Sequence, residues 1–307
     1  MVIHLEYVSL SDCVGVIPLR TNIGIVCHND SCVIIDTGLD EKAGKHIFKT
    51  AQELGLKIKA IVNTHSHSDH YGGNVFLKGK TDALVYAPSR EALVIENPWL
   101  EPLWFSCGAS VFEGLRNKFL MAEACKVDVP ITKGRFEIEG ISLEAVPLPG
   151  HSIGMTGVLS NRTLFCGDAL FGEEIIEKHK VLYLHDPDEA RKSLNKLLEV
   201  DCEFIVPSHG TAVKAQDIQR CVEVNVNAID SFDSVIIKSL TGSMGVEELT
   251  SRALTAVGLT LDDLTKMMLM RSTVLAHVTC LARRGLIKVS VGQAESSLVN
   301  RIVCSPV

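Results

Sequence analysis

Four side chains able to ligate a metal, His65, His67, Asp69 and His70, fall within six consecutive positions of the run THSHSDH. Imidazole and carboxylate suit zinc and neighbouring transition metals. A structural zinc site more often closes its shell with thiolates, alone or with two imidazoles. Nitrogen and oxygen donors without thiolate fit a site that keeps a coordination position for water. Water held there ionises near neutral pH and becomes a nucleophile, so the chemistry suggested is hydrolysis. His65 and His67 alternate along the chain, which at a strand end turns both rings the same way. Asp69 and His70 come from the turn that follows, and two ligand groups facing different ways can hold two metals a few ångströms apart.

Such residues need rigid elements to present them. The apolar segment KIKAIVNTH is expected to be a buried strand with the histidine cluster at its C-terminal tip, a common place for ligands in layered α/β folds. Three further candidates each follow an expected strand and sit beside a glycine: His151 in LPGHSIG, Asp168 in FCGDALF and His209 in VPSHG. Glycine lets the backbone turn sharply or approach a site closely. Around them the pattern predicts short strands in IHLEYV, GVIPL, NIGIVCH and SCVIIDTG, with HNDS as a hairpin turn. A helix through KAGKHIFKTAQELG is expected, capped by Asp40 and stopped by Gly55. DALVYAP reads as a strand and Ser89 begins a short helix. Residues 96–130 interrupt the rhythm and read as an insertion, with a helix over VFEGLRNKFLMAEAC. Strands are then expected at RFEIEG, ISLEAVPL, TGVLS, RTLFCGD and EFIVPSHG, and helices at 187–199 and 214–230, with a second insertion at 169–187.

The ordered set HxHxDH, GH, GD and SHG resembles the metallo-β-lactamase superfamily, over roughly residues 1–230. The resemblance implies an α/β fold built as a four-layer αββα sandwich. Carried over, it has His65, His67 and His151 hold one metal, Asp69, His70 and His209 the second, and Asp168 bridge them. Asp36 in IIDTG matches a position that supports the site. The implied cofactor is two divalent ions, zinc first, with iron or manganese as alternatives. The implied reaction is hydrolysis of an ester, thioester, lactone or similar small molecule by a hydroxide shared between the metals, with Asp69 orienting it and shuttling a proton. The alternatives are an iron-dependent persulfide-type dioxygenase or a nuclease of the same superfamily. Lactonases of the family often carry tyrosine where Phe171 stands, and glyoxalase-II-like thioesterases end in a helical region unlike this tail. Residues 231–307 resemble a winged-helix-like tail, with three short helices (GVEELTSRAL, LDDLTKMMLM, TVLAHVTCLARRG) and a two-stranded wing (LIKVSVG, LVNRIVC).

Composition narrows the classes. Of 307 residues, 46 % are hydrophobic and 22 % charged, which suits a globular chain with a sizeable core. A net charge of −7 argues against a nucleic-acid partner, since phosphates require Lys and Arg. Ten cysteines without a C-x-x-C pair read as reduced thiols, with Cys27 and Cys32 on paired strands. No basic leader precedes an apolar core near His4 and Glu6, and no run of about 18 apolar residues exists. A cytoplasmic protein without a membrane span is therefore expected. Trp99, Trp104 and Phe105 are read as packing the insertion on the body or forming a seam with a second copy. His179 and His185 are read as surface residues near the site, and Arg283 and Arg284 as a solvated turn.

Overall fold

A computed structural model describes residues 7–293 and 300–307. His4, Glu6, most of the expected IHLEYV strand and the first two residues of LVNRIVC lie outside them. One sheet has seven strands in chain order: β1 (Val8–Ser11), β2 (Val14–Ile17), β3 (Ile23–His28), β4 (Ser31–Ile35), β5 (Lys57–Val62), β6 (Leu84–Pro88) and β7 (Val129–Ile131). Its first four strands pair antiparallel and its last four parallel. Cys27 and Cys32 face each other across the β3–β4 hairpin. The intervening helices are α1 (Glu41–Glu53), α2 (Ser68–Tyr71), α3 (Asn74–Lys80), α4 (Ser89–Glu96) and α5 (Leu100–Phe105). The second sheet holds β8 (Gly134–Ile138), β9 (Ile141–Pro147), β10 (Thr156–Ser160), β11 (Thr163–Phe171), β12 (Phe204–His209) and β13 (Val213–Lys214), with α6 (Glu173–His179), α7 (Pro187–Leu197) and α8 (Ile218–Ser239) following its strands.

Alternation explains why the sheets stack. In β3 and β4, Val26 and Val33 pack into a core shared with Leu143, Val158 and Val206 of the other sheet. Their neighbours Ile25 and Ile34 point the opposite way, onto Ile47 and Ala51 of α1. Both faces are thus buried, as a run of Val and Ile requires. Leu164 and Ile205 of the second sheet pack likewise on Leu194, Leu197 and Val222 of α7 and α8. Helix, sheet, sheet, helix is the four-layer αββα order. Burying each such side chain stabilises by roughly 1.5–3 kcal/mol. α1 starts where Asp40 accepts from the Lys42 and Ala43 amides, and ends before Gly55 at φ +70°.

Beyond the sheets come β14 (Met244–Gly245), α9 (Val246–Ala256), α10 (Leu264–Arg283), β15 (Ile287–Gln293) and β16 (Asn300–Pro306), the strands forming a sheet in the order β14-β16-β15. The expected wing strands pair antiparallel. The division expected at 230/231 falls inside α8, whose Val222 and Ile229 pack in the second-sheet layer and whose Phe232 and Ile236 pack with α9 and α10.

Four expectations on elements require correction. α8 begins at Ile218 and runs on to Ser239, because its apolar positions continue onto the tail. The segments 261–270 and 273–285 form one helix, α10, since neither Gly nor Pro separates them. Residues 111–125 are not a helix but hold a single 3₁₀ turn at Glu113–Leu115. There the Asn117 amide donates to the Gly114 carbonyl and its oxygen accepts from the Phe119 amide, offering the backbone an alternative to helix bonds. Arg283 and Arg284 are no free turn: Arg283 pairs with Asp186 at 2.9 Å, and Arg284 with Asp233, tying α10 to α7 and α8.

Candidate metal centre

The structure brings all seven candidates to one edge of the two sheets. His65 follows β5, and His67, Asp69 and His70 belong to or flank α2. His151 follows β9, and His209 is the last residue of β12. Asp168 lies within β11 rather than after it, in a stretch where the pairing with β12 shifts register. Irregular pairing is how a strand re-aims a side chain. Gly167, before Asp168, has φ +60°, and Gly150, before His151, has φ +131°, where an added Cβ would lie 2.3 Å from the Ala190 nitrogen. Only glycine satisfies both conditions at Gly150.

The donor atoms converge in two groups. His65 Nε2 lies 3.0 Å from His67 Nδ1, which lies 2.9 Å from His151 Nε2. His70 Nε2 lies 3.7 Å from Asp69 Oδ1, and His209 Nε2 lies 3.4 Å from Asp69 Oδ2. The two sets, His65–His67–His151 and Asp69–His70–His209, each place their ligand atoms close enough to share one ion. Asp168 stands between them: Oδ2 is 3.3 Å from His151 and 3.6 Å from His209, and Oδ1 is 3.6 Å from His70. His70 Nε2 and Asp168 Oδ1 are buried without a hydrogen-bond partner. An unsatisfied buried polar atom costs about 1–3 kcal/mol, so two aimed at one point fit a cation there.

Supporting residues fix the rings. Asp36 has φ +60°, an uncommon conformation for a residue with a Cβ. From it, Oδ2 accepts from His70 Nδ1 and Thr64 Oγ1, both at 2.8 Å, while Oδ1 accepts from the Thr64 amide. His151 Nδ1 donates to the Tyr183 carbonyl and His209 Nδ1 to the Arg20 carbonyl, which leaves each Nε2 facing the centre. Asp69 Oδ2 accepts from Thr21 Oγ1 at 3.1 Å.

Burial holds the first set neutral, the form that coordinates. It drives His65 well below the usual imidazole value, His67 down to about 4 and His151 down to about 3. In the second set carboxylates oppose burial. Asp36, Asp69 and Asp168 outweigh desolvation and push His70 up to about 10. His209 is raised too, by Asp168 and Asp69 against its burial. Asp69 and Asp168 fall below the carboxylate range because nearby imidazoles overcome their desolvation. The carboxylates that keep protons on these rings supply the negative charge a cation requires.

Several contributors give no signal in sequence. Glu91 of α4, 1 % exposed, accepts from the Ser66 amide and hydroxyl, the Ser152 hydroxyl and the Gly154 amide, at 2.5–3.1 Å. It thereby links the loop of His65 and His67 to the loop of His151. A glutamate in an eight-residue helix otherwise reads as a surface residue. Beside the centre a cavity of about 380 Å3 is lined by residues of α5 and α10 together with His67 and His151. Trp104 and Phe105 line it, Phe105 buried and Trp104 half exposed, while Trp99 is exposed and does not line it. Phe105 also packs the 96–130 insertion against α10. His185 is exposed at the cavity rim, and His179 is exposed away from it.

The fold and this constellation define a metal-binding αββα protein. The metallo-beta-lactamase superfamily model matches residues 16–209, and the chain belongs to that superfamily. It is a metal-dependent hydrolase of the superfamily. A hydroxyacylglutathione hydrolase from Aeromonas hydrophila is 25 % identical over 232 residues, which cover 75 % of this chain and 76 % of that protein. The lactamase-like protein adaB of Aspergillus niger is 25 % identical over 198 residues, 63 % of this chain and 51 % of its own. Among solved structures, a metallo-beta-lactamase family protein from Thermus thermophilus superposes with a TM-score of 0.74 at 18 % identity, covering 97 % of this chain and 100 % of its own. A beta-lactamase domain protein from Burkholderia ambifaria gives 0.69 at 14 % identity, over 100 % and 95 %. These structures share the fold, including the part beyond residue 209.

Proposed function

We propose that the protein is a dinuclear hydrolase of a small-molecule ester or thioester, with two divalent ions, zinc first, held by His65, His67 and His151 on one side and Asp69, His70 and His209 on the other. The observation that carries this reading is the position of Asp168, within 3.6 Å of a histidine from each set. Divalent ions in such a site lower the pKa of water and polarise a carbonyl. The chain supplies the rest. The neutral imidazoles of His65, His67 and His151 present lone pairs without a proton to displace. Asp69, fixed by Thr21 through Oδ2, orients the attacking water and accepts its proton on a carboxylate oxygen. The protonated Asp69 then delivers that proton to the leaving group. His67 and His151 line the cavity where the substrate's carbonyl end lies.

A hydrolase of hydroxyacylglutathione, itself a thioester, among the relatives supports the thioester class. The cavity of about 380 Å3 beside the centre and the charge of −7 support a small molecule over a nucleic acid. Among the described residues no helix is long and apolar enough to cross a membrane. All ten cysteines are unpaired, which supports a reducing compartment such as the cytoplasm.

Metal analysis of the purified protein tests the reading. Two equivalents per chain are expected, with chelation abolishing turnover of generic thioesters. Asp168→Ala is expected to leave at most one tightly held equivalent and to lower kcat by about 1000-fold, roughly the contribution of several lost electrostatic contacts. A single iron with oxygen uptake on a persulfide, or full activity after chelation, would overturn it.

A further inference from the structure

The ligands set the reaction, and the cavity beside them describes the substrate. Its lining residues on α10 are Met268, Arg271, Ser272 and Leu275, spaced as one face of a helix. α5 contributes Glu101, Trp104 and Phe105, again a single face. The walls are largely apolar, with His67 and His151 among the lining residues. Among the described residues Arg271 is the one arginine or lysine in that lining.

The guanidinium of Arg271 is held from behind. Nε and Nη2 donate to both oxygens of Glu247, at 2.7–3.2 Å. Among the described residues Nη1 meets only Cys107 Sγ, at 4.0 Å, and Cys107 also lines the cavity. A thiol is a weak acceptor, so this donor edge is fixed in direction and lacks a strong partner. Guanidinium recognises carboxylate through charge-assisted hydrogen bonds of this geometry. Two carboxyl groups share the lining, Glu91 and Glu101. Glu91 is already engaged by the Ser66 amide and hydroxyl, the Ser152 hydroxyl and the Gly154 amide. Glu101 is 6 % exposed, and burial, with Asp69 and Glu91 nearby, pushes its pKa well above the usual range, which favours its uncharged form.

We propose that this cavity binds a compound with the hydrolysed carbonyl at one end and a carboxylate at the other, the carboxylate taken by Arg271 and the apolar chain between them by Trp104, Phe105 and Leu275. The carbonyl end rests on the hydrolase reading, and the carboxylate end stands on the cavity alone. Calorimetric titration of the metal-loaded protein with the dicarboxylates from succinate to suberate, against monocarboxylates of equal length, tests it without turnover. One dicarboxylate length is expected to bind about tenfold or more tighter than its monocarboxylate match. Arg271→Met is expected to erase that preference, with Glu247→Gln intermediate. Arg271→Gln replaces it should the methionine variant unfold. No preference in the unaltered protein, or the same preference in the Arg271 variants, overturns the proposal. Turnover of half-esters and simple esters separates the two readings. A carboxylate preference in binding without any ester turnover would sink the hydrolase and spare the cavity. Turnover without a carboxylate preference would sink the cavity assignment alone.

Discussion

The two sets proposed to hold metal are held together by different physics. His65, His67 and His151 have no carboxylate among them, and burial keeps them neutral. Their convergence depends on how their loops are held, and Glu91 holds both. Asp69, His70 and His209 include a carboxylate and lean on Asp36 as well, so charge rather than loop geometry organises them. The lesson is that one edge of this fold carries a site fixed by backbone ties next to a site fixed by electrostatics. They should fail differently.

The largest separation is expected from Asp36→Ala. It removes the acceptor that orients His70, and outer-shell losses of this type lower metal affinity or activity by about 10–100-fold. The loss should fall on the second ion, read by competition with a graded chelator, while the first stays bound. Equal loss of both ions would erase the distinction between the sets. Glu91→Gln is expected to act in the reverse sense and more weakly, by about tenfold on the first ion, because its amide group opposes the N–H groups that Glu91 now accepts from. Unchanged affinity for both ions would show that the loops hold themselves.

The smallest effect on either set is expected from Asp233→Asn, which lies outside both. Asp233 accepts from His277 at 2.7 Å and pairs with Arg191 and Arg284. Burial would raise its pKa, but the His277 hydrogen bond and these cations bring it below the usual range. A carboxyl depressed on folding stabilises above its unfolded pKa of about 3.9, and that stability disappears as pH falls through the lower folded value. Thermal melts should therefore show the variant less stable by about 3–5 kcal/mol at neutral pH, with the gap closing in acid. kcat should change less than about twofold at a temperature where both are folded, since surface and remote changes leave the site alone. A gap that stays constant from neutral to acid pH would refute the role of this network.

Much of the site was legible in the chain because chemistry narrows residue choice. Only histidine and carboxylate repeat as THSHSDH, GH, GD and SHG do, and glycine must stand at Gly150, where the backbone φ is +131° and a neighbour leaves no room for a Cβ. Apolar runs likewise announced the strands, while their stacking as two sheets followed from the resemblance; in the structure Ile25 and Val26 face opposite layers. Local pattern failed where bonds to distant residues decided the outcome. Asn117 bonds Thr265 as well as its own turn, so the 111–125 stretch never becomes a helix. Apolar spacing announced helices at 261–270 and 273–285; with no Gly or Pro between them they join as α10, which packs on α8 and α9.

Sequence alone singled out the groups that gather at the centre, because only particular side chains suit the metal chemistry proposed for it. Tertiary structure alone decided what surrounds them. Glu91, Glu101 and Arg271 are ordinary charged helix residues until three separate elements fold around one cavity, and burial there, a property of the whole assembly, pushes the Glu101 carboxyl well above its usual range.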